Sequence, residues 1–102
     1  MTIDSNGYAP SILETKERCY LCWRCDCKLD RHEIFGASCR KKSKRLGLWV
    51  LVCRHCHEKA HKERDTNLTL KQIGQERAET KYQWNHADFR REFGRNYVEV
   101  EI

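Results

Sequence analysis

Two Cys-x-x-Cys pairs, Cys19–Cys22 and Cys53–Cys56, stand about thirty residues apart in a chain of only 102. No other feature constrains the fold as much. Each pair makes a tight knuckle whose backbone N–H groups stabilise thiolate charge, and two knuckles close a tetrahedral shell around one zinc ion. The chain needs such a staple. Its residues are 39% apolar and 34% charged, with a mean hydropathy of −0.88, which leaves a single small domain with a marginal core. Seven cysteines cannot all pair as disulfides. The opening residues, MTIDSNGYAPSILE, carry neither the basic nor the apolar segment of a secretory signal. No apolar run approaches the roughly 20 residues that span a bilayer. A cytoplasmic protein with no membrane partner is therefore expected, and in that compartment paired cysteines are metal ligands more often than crosslinks. Cys22-x-x-Cys25 has the same spacing as Cys19-x-x-Cys22. The second register is preferred because it leaves Cys25 and Cys27 on the approach to the next strand, with Cys39 as a further free thiol.

Residues 1–17 read as a loose arm containing the single proline, Pro10, with a helical turn at Ser11–Lys16. Lys28–Phe35 alternates as a strand, with Leu29, Arg31, Glu33 and Phe35 on one face and Asp30, His32 and Ile34 on the other. Arg40, Lys41, Lys42, Lys44 and Arg45 follow, five cations in six positions, read as a loop suited to phosphate contact. The formal net charge of +5 and pI near 8.9 agree with a polyanionic partner. Leu48–Val52 is apolar on both faces, as a buried strand is. A helix is expected from His57 to about Arg64, and a longer one over Asn67–Trp84. The longer helix has Thr69 and Gln72 as a capping box, Leu70, Ile73, Arg77 and Lys81 on one face, and Gly74 as an interruption. Asn85 caps a short helix, Ala87–Phe93, which Gly94 stops, with Phe89 and Phe93 facing inward. Tyr97–Ile102 alternates as a terminal strand. The division is a core over 18–64 and a helical C-terminal extension over 65–102, an α+β fold.

The chemistry lies in what the core brings together. A strand bearing His32, a second strand, and a helix bearing His57 and His61 at i and i+4 make a ββα unit in which three imidazoles converge. Three neutral nitrogen ligands leave open positions on a divalent cation for a phosphate and water. A general base must then activate the water, and Glu33, on the opposite strand face from His32, is the nearest in sequence.

From about residue 18 to 62 the chain resembles the HNH endonucleases, the ββα-metal nuclease family, and most of all its small phage and prophage-type members. The resemblance rests on Cys19-x-x-Cys22, on HEIFGASCRKKS (His32–Ser43) and on GLWVLVCRHCHEKAH (Gly47–His61), with a weaker echo in Phe93-Gly94-Arg95-Asn96-Tyr97. It implies a small zinc-stabilised ββα-metal domain with additional C-terminal helices, and one catalytic divalent ion such as Mg2+ or Mn2+ acting on DNA phosphodiester bonds. By position, His32, His57 and His61 match the ligands of that ion, and Cys19, Cys22, Cys53 and Cys56 hold structural zinc. Glu33 falls where most members place the histidine base. The alternative register makes His32 the base and puts Arg31 at a ligand position, which suits a cation poorly; the first register also aligns Ile34-Phe35-Gly36. The family's middle asparagine falls on Cys39 by one alignment and on Leu48 by another. The partners so implied are DNA and phage packaging or recombination proteins. The alternative is a non-catalytic zinc-knuckle protein that binds nucleic acid or acts as an adaptor.

Overall fold

The structure is a computed structural model and describes residues 3–98. It is a small mixed α/β domain. β1 (Leu29–Glu33) and β2 (Trp49–Cys53) pair antiparallel, with Asp30 opposite Val52, His32 opposite Val50 and Glu33 opposite Trp49. Strand alternation turns His32 inward with Val50 and Val52, and Arg31 outward.

The connection between the strands holds a 3-10 turn, Ala37–Cys39, and the helix α1, Arg40–Arg45. The basic run is thus helical, where a loop was expected. Ser43, the one break in the charge run, accounts for this. It is fully buried, and its Oγ accepts from the Phe35 amide (3.1 Å) and donates to the Phe35 carbonyl (2.7 Å). The hydroxyl pins the turn to the chain leaving β1 and lets the long cationic side chains splay outward. Gly47, at φ +74, then turns the chain where the Pro10 carbonyl lies against its α-carbon, a place and a conformation that suit a residue without a Cβ.

α2 (Arg54–Lys62) starts directly at the end of β2, three residues before the expected start. Cys53 supplies its N-cap, the sulfur accepting from the Cys56 amide at 3.5 Å. α3 (Arg64–Tyr82) follows after Glu63 alone. Because α3 begins before Asn67, Thr69 and Gln72 lie inside it and form no capping box. Its buried side is Leu70, Gly74, Gln75 and Ala78, whereas Arg77 and Lys81 are exposed and Ile73 is half-buried. Gly74 is where α3 comes closest to the strand connection: a Cβ there would stand 3.0 Å from Ile34 Cγ2 and 3.2 Å from Phe35 Cε2. The residue read as an interruption is a contact point. Gln75, fully buried, is satisfied by Glu79, Asn96 and the Tyr97 amide. α4 (His86–Phe93) has the expected Asn85 cap, completed by Asp88 as a capping box, and ends at Gly94. Phe89 and Phe93 are buried and join Phe35 and Tyr97 in an aromatic cluster.

Residues 8–13 are not the loose arm expected, nor is there a helix over 11–16. Ala9 and Leu13 are buried. The Ala9 and Ile12 amides donate to the carbonyls of Lys44 and Gly47, Trp49 Nε1 donates to the Ala9 carbonyl, and Ser11 Oγ donates to the Trp49 carbonyl. The polar atoms of β2's outer edge and its indole need partners, and the arm supplies them. Of the expected terminal strand, residues 99–102 lie outside the described residues, and Tyr97 and Val98 are not in a strand. Among the described residues no helix is long and apolar enough to cross a membrane.

Candidate metal centres and their cleft

The sulfur atoms of Cys19, Cys22, Cys53 and Cys56 all lie within 4.8 Å of one another. The Cys22 and Cys53 sulfurs are 3.8 Å apart, close to the edge of about 3.8 Å of a tetrahedron with Zn–S bonds of about 2.3 Å. Each knuckle carries the same N–H···S bond, Cys22 amide to Cys19 and Cys56 amide to Cys53, both at 3.5 Å. Burial pushes the Cys19 thiol up, but amide donors led by that of Cys22 outweigh it and bring the pKa down to about 6. Cys56 is driven the other way, first by burial and then by the neighbouring sulfurs. Four sulfurs this close cannot all ionise without a cation among them, so the donor set fits a metal ion and suits zinc. The structure selects the Cys19–Cys22 register. Cys25 and Cys27 are exposed outside the cluster, and Cys39 is half-buried beside the Phe93 carbonyl.

The second cluster sits on the other side of the α2 start. One nitrogen from each of His32, His57 and His61 lies within 4.8 Å of the others, with ring centroids 4.9–5.3 Å apart. His32 is 3% exposed, and its buried Nε2 has no hydrogen-bond partner among the described residues. Such an orphaned nitrogen is costly unless something binds it. Burial, then the charges of His61 and His57, lower the His32 pKa to about 4, so it is neutral and ready to ligate near neutrality. His57 turns Nδ1 toward Asp30 Oδ2 at 3.1 Å, which fixes the ring and leaves Nε2 as its ligand atom, as a carboxylate behind a metal-bound histidine does. The hydrogen bond from His57, more than burial opposes it, keeps the Asp30 carboxyl below the usual range. These three residues fit an ion that prefers nitrogen ligands.

The histidines open onto a cleft of about 340 Å3 whose rim includes Arg31, Glu33 and Arg40. Glu33 has both oxygens engaged: Tyr8 OH donates to Oε2 at 2.8 Å and Arg40 Nε to Oε1 at 2.6 Å. Burial would raise its pKa, but those two bonds lower it overall, while burial and the Glu33 carboxylate push the Tyr8 phenol up to about 12. Of the five α1 cations, Arg40 borders this cleft and Lys44 a neighbouring one. Lys42 turns away to the Glu92 carbonyl and carboxylate, and Lys41 and Arg45 are exposed elsewhere on α1. Sequence reasoning gave no role to Asp30, Arg54 or Tyr8, and weighed Arg31 only as a poor metal ligand. Asp30 and Arg31 directly precede His32 on β1 and could have been found from it; Tyr8 gave no local signal. Neither a protein-family model, nor a curated protein, nor a solved structure matches this chain.

Proposed function

We propose that this chain is a small HNH-type endonuclease that hydrolyses or nicks DNA phosphodiester bonds in the histidine cleft, with structural zinc at the four cysteines. One observation carries the reading: His32, His57 and His61 converge, with an orphaned buried nitrogen among them, in a cleft edged by Arg31 and Arg40. A divalent transition-metal ion held by these imidazoles would supply Lewis-acid chemistry, polarising a phosphoryl oxygen and easing departure of the 3′ oxygen. The chain's own residues supply the rest. Asp30 holds His57 in one orientation. Arg40, now 2.6 Å from Glu33, can transfer its guanidinium to an incoming phosphate, and Glu33 Oε1 is then released to act as base. The water oxygen bonds to phosphorus as its proton passes to Glu33, and the P–O3′ bond breaks, the departing 3′ oxygen taking a proton from solvent water to leave as the hydroxyl.

A second reading has its own support. Among the described residues Glu33 is the only carboxylate lining this cleft, and both its oxygens are already bonded, which favours a protein that binds nucleic acid without cutting it. Plasmid nicking decides between them. The purified protein is expected to nick supercoiled DNA with at least one divalent ion among Mg2+, Mn2+, Co2+, Ni2+ and Zn2+. His57→Ala should abolish this while keeping zinc content and fold, and Glu33→Gln should slow it by roughly 100- to 10,000-fold. A wild-type protein that binds DNA yet never nicks it with any divalent ion establishes the binding module instead.

A further inference from the structure

Beside the histidine cleft lies a wider one of about 630 Å3, and Arg31 and His57 wall both, so a strand laid in one runs on into the other. Its cations are Arg31, Lys44 and Arg54. The acid lining it, Asp30, is already held by His57 at 3.1 Å and Arg54 at 3.3 Å. Arg31 is braced: its guanidinium carbon is 4.2 Å from the Tyr8 ring centroid and 5.2 Å from that of Trp49, and Lys44 Nζ stands 4.7 Å from the Tyr8 ring. These ring contacts restrain the guanidinium while its N–H groups still offer donors to an oxyanion. One oxyanion is already there. Asp4 Oδ2 is 3.0 Å from Arg31 Nη1, and Asp4 Oδ1 accepts the amides of Asn6 and Tyr8 at 2.9 Å each. The turn over residues 4–8 thus presents a carboxylate to Arg31 as a phosphate would be presented.

We propose that the Arg31–Lys44–Arg54 cleft is a second phosphate subsite, for the DNA backbone phosphate beside the one at the histidines, and that Asp4 competes with that phosphate for Arg31. The subsite rests on the nucleic-acid reading above but not on hydrolysis. Fluorescence anisotropy of a short labelled DNA duplex, titrated across potassium chloride concentrations without added divalent ion, tests it. Asp4→Asn keeps the acceptor for the Asn6 and Tyr8 amides and removes the charge. It is expected to tighten binding several-fold and to steepen the log affinity–log salt slope by about one phosphate equivalent. Arg31→Ala should weaken binding about tenfold and flatten the slope by a similar amount, and in its background Asp4→Asn should gain almost nothing. Equal gains from Asp4→Asn with and without Arg31 would mean general charge removal and overturn the competition. Should Arg31→Ala fail to fold, an unchanged slope in Asp4→Asn alone overturns it, and so does a wild-type protein that binds no duplex at low salt. A protein that nicks DNA but is indifferent to Asp4 loses the subsite and keeps the hydrolytic reading. One that shows the Asp4 response but never nicks keeps the subsite and loses the hydrolysis.

Discussion

His32 makes the fold sensitive to acid in a way that can be worked out beforehand. Its imidazole is buried beside two other histidines and titrates near 4 in the folded protein, against about 6.5 in an unfolded chain. Well above pH 6.5, from about pH 8, the ring is neutral in both states and contributes no pH dependence. Below 6.5 the unfolded chain takes up the proton and the folded one does not, so stability falls with falling pH until the folded pKa is passed. The full loss is about 3 kcal/mol, of which about 2 kcal/mol falls between pH 7 and pH 5. Urea unfolding at those two pH values, on wild type and His32→Leu with zinc matched and no other divalent ion, isolates this residue, because acid effects on the thiolates are common to both. Wild type is expected to lose about 2 kcal/mol more than the variant. Parallel pH dependence in the two proteins would refute the argument and mean that His32 is solvated or paired when charged.

Three further substitutions probe the scaffold. Cys56→Ser should drop bound zinc well below one ion per chain by mass spectrometry and abolish cooperative unfolding, since metal binding at such knuckles is folding free energy. Phe89→Ala removes a fully buried ring that stacks on Phe93 at 4.7 Å and meets Phe35 at 5.3 Å; a cost of about 3–5 kcal/mol in urea unfolding is expected. Gly47→Ala combines a left-handed backbone with a collision against the Pro10 carbonyl, and its unfolding free energy in urea should fall by more than the roughly 1 kcal/mol that the backbone conformation alone costs.

The residues of the two clusters were legible because their spacing is local geometry. A Cys-x-x-Cys knuckle and an i, i+4 histidine pair each report one turn of chain, and both clusters formed as those turns require. The Asn85 cap and the Gly94 stop were readable for the same reason. What sequence reasoning missed depends on partners far along the chain. Tyr8 is twenty-five positions from Glu33, and Trp49 is forty from Ala9, so nothing near the arm marked it as a strap. Ser43 looked like a gap among cations until Phe35 was beside it. The face of α3 was misassigned because Gly74 was judged by helix propensity, whereas tertiary contact with Ile34 and Phe35 governs that position. Glu33 was singled out as the nearest carboxylate to His32 and lines the cleft, but its two hydrogen bonds, which govern whether it can act as a base, come from outside the motif.

Cys53 closes β2, caps α2 and presents a sulfur to the thiolate cluster, and His57 follows four residues later on the same helix. A slip of one residue at that junction would rotate α2 by about 100° and swing its imidazoles away from His32. Clamping Cys53 and Cys56 therefore sets the rotational phase of the helix, and the imidazole cluster inherits that phase. If both clusters take metal, loading is expected to be hierarchical, thiolates before imidazoles. In a stepwise cobalt titration of the metal-stripped protein the thiolate-to-cobalt absorption should be complete before the histidine ring resonances shift; simultaneous change would mean that the two clusters are set independently.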